Sequence, residues 1–167
     1  MYLPDKNYFR FETSSGYEKH YKGLGVKEMD VCWLDQEKEL LYVIELKDWN
    51  EFIAAEHLPE NLKSGLITRG YNIVSKIVGA LMLLSSVEMK RNGHIHLSGE
   101  IPFSLPLRKK FLVVVNCDLN NEVLLQSIEA HVRAKTTGLL KACDYGKVQV
   151  IHKKMLEKLT EGKLVAE

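Results

Sequence analysis

Asp30, Glu45 and Lys47 are the residues whose types and spacing could do chemistry together. Five apolar residues, Leu40-Leu41-Tyr42-Val43-Ile44, run directly into Glu45, and Lys47 follows two positions later. On a strand, residues i and i+2 share a face, so Glu45 and Lys47 point the same way while Leu46 points back into the core. An acid and an amine on one face of a buried strand are costly, because each charge needs a partner, a metal or water. Asp30 interrupts a second apolar run in the same manner, between Met29 and Val31. If the polar turn Asp35-Gln36-Glu37-Lys38 joins the two runs as a hairpin, Asp30 falls opposite Glu45. Two carboxylates side by side repel one another and attract a divalent cation. Mg2+ (or Mn2+) prefers oxygen ligands and suits the pair, with the carbonyl of Leu46 as a further donor. Such an ion activates water, and Lys47 could orient that water or steady charge on a phosphate. The plainer alternative, a solvated Glu45–Lys47 ion pair worth ~0–1 kcal/mol, leaves Asp30 as an unexplained third charge.

For these groups to meet, the chain must supply a sheet and cover it. Tyr8-Phe9-Arg10-Phe11 alternates and predicts a short first strand ending at Ser14-Ser15-Gly16. A loop around residues 22–25 leads into the Asp30 strand, predicted over 27–34. The unbroken apolar run at 40–44 fits a strand covered on both faces. After Pro59 the period changes. Leu62, Leu66, Ile73, Ile77, Ala80, Leu81, Leu84 and Val87 recur at three and four residues, predicting a long amphipathic helix. It is expected to bend near Gly70 and to stop at Asn92-Gly93. Residues 99–107, with Pro102 and Pro106, read as an irregular connection, and 111–115 as a second buried strand. Asn120-Asn121 can cap a helix carrying Val123, Leu124, Ile128 and Val132. Residues 147–151 predict a last strand, and Met155, Leu156 and Leu159 a short closing helix. Strands parted by helices in this order imply an α/β fold with a mixed central β-sheet flanked by helices. The length, and the lack of a linker or repeat, imply a single domain over residues 1–167.

Asp30, a gap of fourteen residues, then Glu45-Leu46-Lys47 after an apolar strand resembles the PD-(D/E)XK signature of restriction-endonuclease-like nucleases. Met29 stands where that signature has proline, and the resemblance covers roughly residues 9–84. It implies a restriction-endonuclease-like fold and a metal-dependent endonuclease or phosphodiesterase acting on DNA, with RNA as the other candidate substrate. It also implies that Asp30 and Glu45 bind the metal and that Lys47 assists catalysis. Members often add a Glu from near the N-terminus and a polar or basic residue from the helix after the motif. Glu12, Glu18, Lys63, Arg69 and Lys76 are the candidates here, and no spacing selects among them. Little chain is left over beyond the core apart from residues 94–107, so either modest sequence preference or specificity supplied by a homodimer or a partner protein is expected. Two other readings stand beside this one: a non-catalytic member serving in nucleic-acid binding or assembly, and an immunity-like or scaffold protein.

Composition narrows the partners. With 23 Lys+Arg against 22 Asp+Glu and a formal charge of +1, a strongly cationic nucleic-acid coat is excluded and a local basic patch is not. Cys32, Cys117 and Cys143 are odd in number and widely spaced, so neither a zinc ribbon nor a redox dithiol is suggested. Cys32 and Cys117 lie in apolar runs and are expected to be buried, in a reducing cytoplasm. Residues 1–6 carry no signal pattern, and 73–87, interrupted by Ser75, Lys76, Ser85 and Ser86, fall short of the ~20 apolar residues of a membrane span. A soluble cytoplasmic protein without a membrane partner is expected. His94-x-His96 reads as a surface turn before a metal grip, and Arg133, Lys135 and Lys141 as helix surface. Arg108-Lys109-Lys110 reads equally as a phosphate-facing patch or a solvated strand entrance. Trp33 and Trp49 read as core or rim packing rather than base-stacking platforms. Without metal, Asp30→Asn is expected to leave stability unchanged or raised, because it relieves carboxylate repulsion.

Overall fold

Parallel neighbours in a sheet need a long crossover between them, and this chain supplies two such crossovers as helices. The computed structural model describes residues 7–49, 60–89, 101–117 and 122–165. Strands β1 (Tyr8–Phe9), β2 (Val31–Asp35), β3 (Leu40–Asp48), β4 (Arg108–Asn116) and β5 (Gln149–His152) form one sheet in sequential order. The first three pair antiparallel, while β3–β4 and β4–β5 are parallel. Helix α1 (Ser15–His20) lies between β1 and β2 in the chain. Helix α2 (Glu60–Glu88) carries the chain from β3 to β4, and α3 (Glu122–Ala142) from β4 to β5. Helix α4 (Lys153–Leu159) follows β5 directly. The class is the expected one, an α/β protein with a mixed sheet and helices on it.

Alternation along the strands sorts side chains to two faces. Cys32, Leu34, Leu41, Val43, Phe111 and Val113 meet Ile73, Ile77 and Leu84 of α2 and Ile128, Val132 and Leu140 of α3. Val31, Trp33, Tyr42, Ile44, Leu112 and Val114 turn the other way, where Leu156 of α4 and Leu164 cover them. β3 and β4 therefore have both faces covered, which is why they read as unbroken apolar runs. Cys32, Cys117, Trp33 and Trp49 are buried. Tyr71–Glu88 does have the length and composition of a membrane-crossing helix, but Ile73, Ile77 and Ala80 within it are fully buried core residues.

Several expectations need correcting. Ser15 and Gly16, expected to end the first strand, instead open α1, whose first turn is capped by Ser14 Oγ accepting the Tyr17 N–H at 2.9 Å. β1 holds only Tyr8 and Phe9, because Phe11–Thr13 winds into a 3-10 turn. β2 starts at Val31, so Asp30 sits at a bend one residue before the strand and not inside it. α2 runs through Gly70 as one helix. The predicted stop at Asn92-Gly93, the His94-x-His96 pair and the Asn120-Asn121 cap lie outside the described residues.

Candidate metal centre

The register of the hairpin decides whether the three polar groups can meet. Val31 pairs with Ile44, and one further step sets Asp30 opposite Glu45. Asp30 Oδ2 accepts the Leu46 N–H at 2.7 Å, so its side chain, instead of a backbone carbonyl, takes this β3 amide. The approach of Asp30 is fixed by the residues before it. The backbone of Lys27 crosses α2 at Gly79, so closely that a Cβ there would lie 1.7 Å from the Lys27 carbonyl oxygen. From α1, the Tyr17 hydroxyl reaches the Val26 carbonyl at 2.6 Å and also the Glu28 carboxylate. Burial, with the Glu28 carboxylate beside it, holds that phenol far above the usual tyrosine range, so it stays a donor.

Glu45 faces α2, beside Val43, and is fully buried. Lys76 of α2 bridges the two acids: its Nζ is 3.1 Å from Asp30 Oδ1, 2.8 Å from Glu45 Oε1 and 2.9 Å from Glu45 Oε2. Lys47 Nζ forms a close ion pair with Glu45 Oε1. That oxygen therefore has two ammonium groups at ion-pair distance. Burial pushes the Glu45 carboxyl above the usual carboxylate range. Lys47 and Lys76 pull it back without cancelling the rise, and the Asp30 charge adds to it. Burial opposes the charge on Lys76, but Glu45 and Asp30 outweigh it and hold the ammonium above its ordinary value. Asp30 is 34% exposed and Lys47 27%, against 0% for Glu45, so the cluster opens to solvent on the side of Asp30 and Lys47.

Asp30, Glu45 and Lys47 thus share one corner of the sheet, with Lys76 as a fourth member that sequence spacing had not selected. Lys76 comes three residues after Ile73 and four before Ala80, both fully buried, which puts it on the core-facing stripe of α2. A charge inside such a stripe is the signal that could have singled it out. The other candidates do not join: Glu12 pairs with Arg10 and Glu18 with Lys22. The side chains of Lys63 and Arg69 lie outside those described.

Among the described residues no group of three His, Cys, Asp or Glu side chains could hold a metal, so carboxylate ligation here stops at Asp30 and Glu45. Within that limit the donors suit a hard divalent ion. Two carboxylates, one of them fully buried, already converge on one cation. Leu46 joins through its amide. A strand residue's N–H and C=O face the same edge, so its carbonyl also turns toward the Asp30 side. A cavity of about 890 Å³, lined by residues including Glu88, Phe103, Cys143 and Tyr145, lies elsewhere, and none of the four polar residues lines it.

The basic triplet splits. Lys109 is neither patch nor solvated entrance: it is buried, paired with Glu88, donating to the Pro106 carbonyl at 2.8 Å and lying over the Tyr145 ring. Arg133, expected to be plain surface, donates from Nε to the Val148 carbonyl at 2.8 Å and pairs with Glu129, tying α3 to the chain entering β5. No family model matches the chain, and no curated protein or solved structure is significantly similar to it.

Proposed function

We propose that the chain is a divalent-metal-dependent nuclease of the PD-(D/E)XK, restriction-endonuclease-like kind, acting on DNA phosphodiester bonds. The observation that carries this reading is that carboxylates from the two arms of one hairpin, Asp30 and Glu45, share one cation, with a second amine, Lys47, on Glu45. Asp30 and Glu45 would hold the ion, with the Leu46 carbonyl as a further donor. When bound, Mg2+ or Mn2+ supplies charge neutralisation at the phosphate and an activated water. Lys47 lies on the same strand face as Glu45 and is part-exposed, so its ammonium is suited to orient the water and steady charge on a phosphate oxygen. The fold supports the reading in its main parts: an antiparallel hairpin carries the acids, and an amphipathic helix and a parallel strand follow.

A non-catalytic member of the same fold, used for nucleic-acid binding or assembly, is the second reading. Lys76 favours it, because it compensates both carboxylates without any metal. Incubation with supercoiled plasmid and Mg2+ or Mn2+ decides between them. A nuclease should give nicked and linear products that EDTA prevents and that Asp30→Asn, Glu45→Gln and Lys47→Met each abolish. Failure of the wild-type protein to cut plasmid, single-stranded DNA or RNA with either metal would end the nuclease reading.

A further inference from the structure

We propose that Lys76 is a tethered counter-ion that occupies the cation position between Asp30 and Glu45, and that a divalent metal binds only by displacing its ammonium. The inference rests on the metal-centre reading above and adds a gate to it.

Three observations carry it. First, one Nζ atom lies 3.1 Å from Asp30 and 2.8 Å from Glu45, so it sits where the fields of both carboxylates converge. Two cations held a few ångströms apart in a half-buried corner repel strongly, so ammonium and metal do not share that position. Second, Glu45 is fully buried and is too costly to leave ionised without a positive neighbour. Lys47 pairs with Glu45 at Oε1, whereas Lys76 reaches both Glu45 oxygens and the Asp30 carboxylate, so it is Lys76 that binds the two acids together. Third, Lys76 comes from α2 while both acids come from the hairpin, and its side chain is 26% exposed. Its flexible four-carbon arm can swing toward solvent with neither strand moving.

Calorimetric titration of Mn2+ into wild-type protein and Lys76→Gln tests the exchange. Gln can still donate to the carboxylates but brings no charge, and the variant is expected to bind Mn2+ about tenfold more tightly than wild type. Binding by Lys76→Gln with none detectable in wild type supports the gate most strongly. Equal or weaker binding by Lys76→Gln, with wild type binding, overturns the gate and leaves the metal centre standing. No binding by either protein overturns the metal centre and the gate with it.

A second measurement uses the native lysine, in case Lys76→Gln does not fold. Lysines are reductively dimethylated with 13C, and the Lys76 signal is assigned by its absence in Lys76→Arg. On titration with diamagnetic Mg2+ that signal should move to the position of the solvated lysines, at the midpoint of metal binding. A Lys76 signal that stays in place while the metal saturates overturns the displacement.

Discussion

Gly79 and Lys27 touch where no side chain could fit between them: a Cβ on Gly79 would meet the Lys27 carbonyl oxygen at 1.7 Å and its carbonyl carbon at 2.7 Å. Both neighbours are backbone, so neither can rotate aside. Three residues beyond Lys27 comes Asp30, and three residues before Gly79 comes Lys76, so this crossing helps set the 3.1 Å contact between them. Gly79→Ala on an exposed helix surface would gain ~1 kcal/mol from helix propensity. Here it should instead lose about 3 kcal/mol, because the N-terminal segment must lift from α2. Urea denaturation gives the sign. A stabilised Gly79→Ala protein would mean that the segment yields freely.

Asp30→Asn tests how the carboxylates are balanced without metal. From sequence, the expected effect is relief of repulsion and no loss of stability. Lys76 changes the sum: it already sits between the two acids, and Asn gives up its attraction while keeping an acceptor for the Leu46 N–H. The pair is partly exposed, so the loss should be about 1 kcal/mol. Asp30→Ala, which also abandons the Leu46 amide, should cost about 2 kcal/mol. Chemical denaturation in EDTA reads both. A rise in stability with Asp30→Asn would show that repulsion dominates despite the lysine.

What was legible in the sequence was set by short-range periodicity. The hairpin register followed from two apolar runs and one polar turn, because a slip of one residue would turn Val31 and Ile44 to the wrong face. That placed Asp30 opposite Glu45 before any side chain was seen. α1 was not legible: six residues cannot hold a helix alone, and this one depends on the Ser14 cap and on burial of Tyr17. Lys76 was one name among five because its role comes from a contact between α2 and the hairpin, thirty-one residues from Glu45. Lys109 was the avoidable error. It shares a face with Phe111 and Val113, so alternation along β4 already sent it inward.

The cluster also fixes a pH dependence of the same sign at its two ends, stability falling as pH rises through each folded value. Burial holds Glu45 above its ordinary value of 4.5, so the folded protein binds that proton more tightly than the unfolded chain. Its contribution to stability should rise as pH falls through the folded value and level off below about 4.5. Lys76 is held above 10.5; its contribution is complete below 10.5 and is lost as pH rises through the folded value. Urea midpoints of wild type and Glu45→Gln, compared in EDTA from neutral pH to about 4.5, isolate the acid end. Wild type should gain on the variant as the solution is acidified. A relative loss would mean that the two lysines outweigh burial.

Lys109 and Glu88 form an ion pair whose halves are not equivalent. The Lys109 side chain is 0% exposed and that of Glu88 34%. Glu88→Ala strands a buried ammonium with, among the described residues, the Pro106 carbonyl and the face of Tyr145, and it also removes the acceptor of the Tyr145 hydroxyl. That change should cost about 3 kcal/mol. Lys109→Met puts an apolar chain of similar length into the same apolar surroundings and leaves Glu88 free to turn toward water, with Tyr145 still donating to it. Its cost should stay within about 1 kcal/mol. Thermal and urea denaturation of the two variants should therefore rank Glu88→Ala well below Lys109→Met. The reverse order would mean that the lysine holds β4 against α2 through its charge, with Glu88 a dispensable partner.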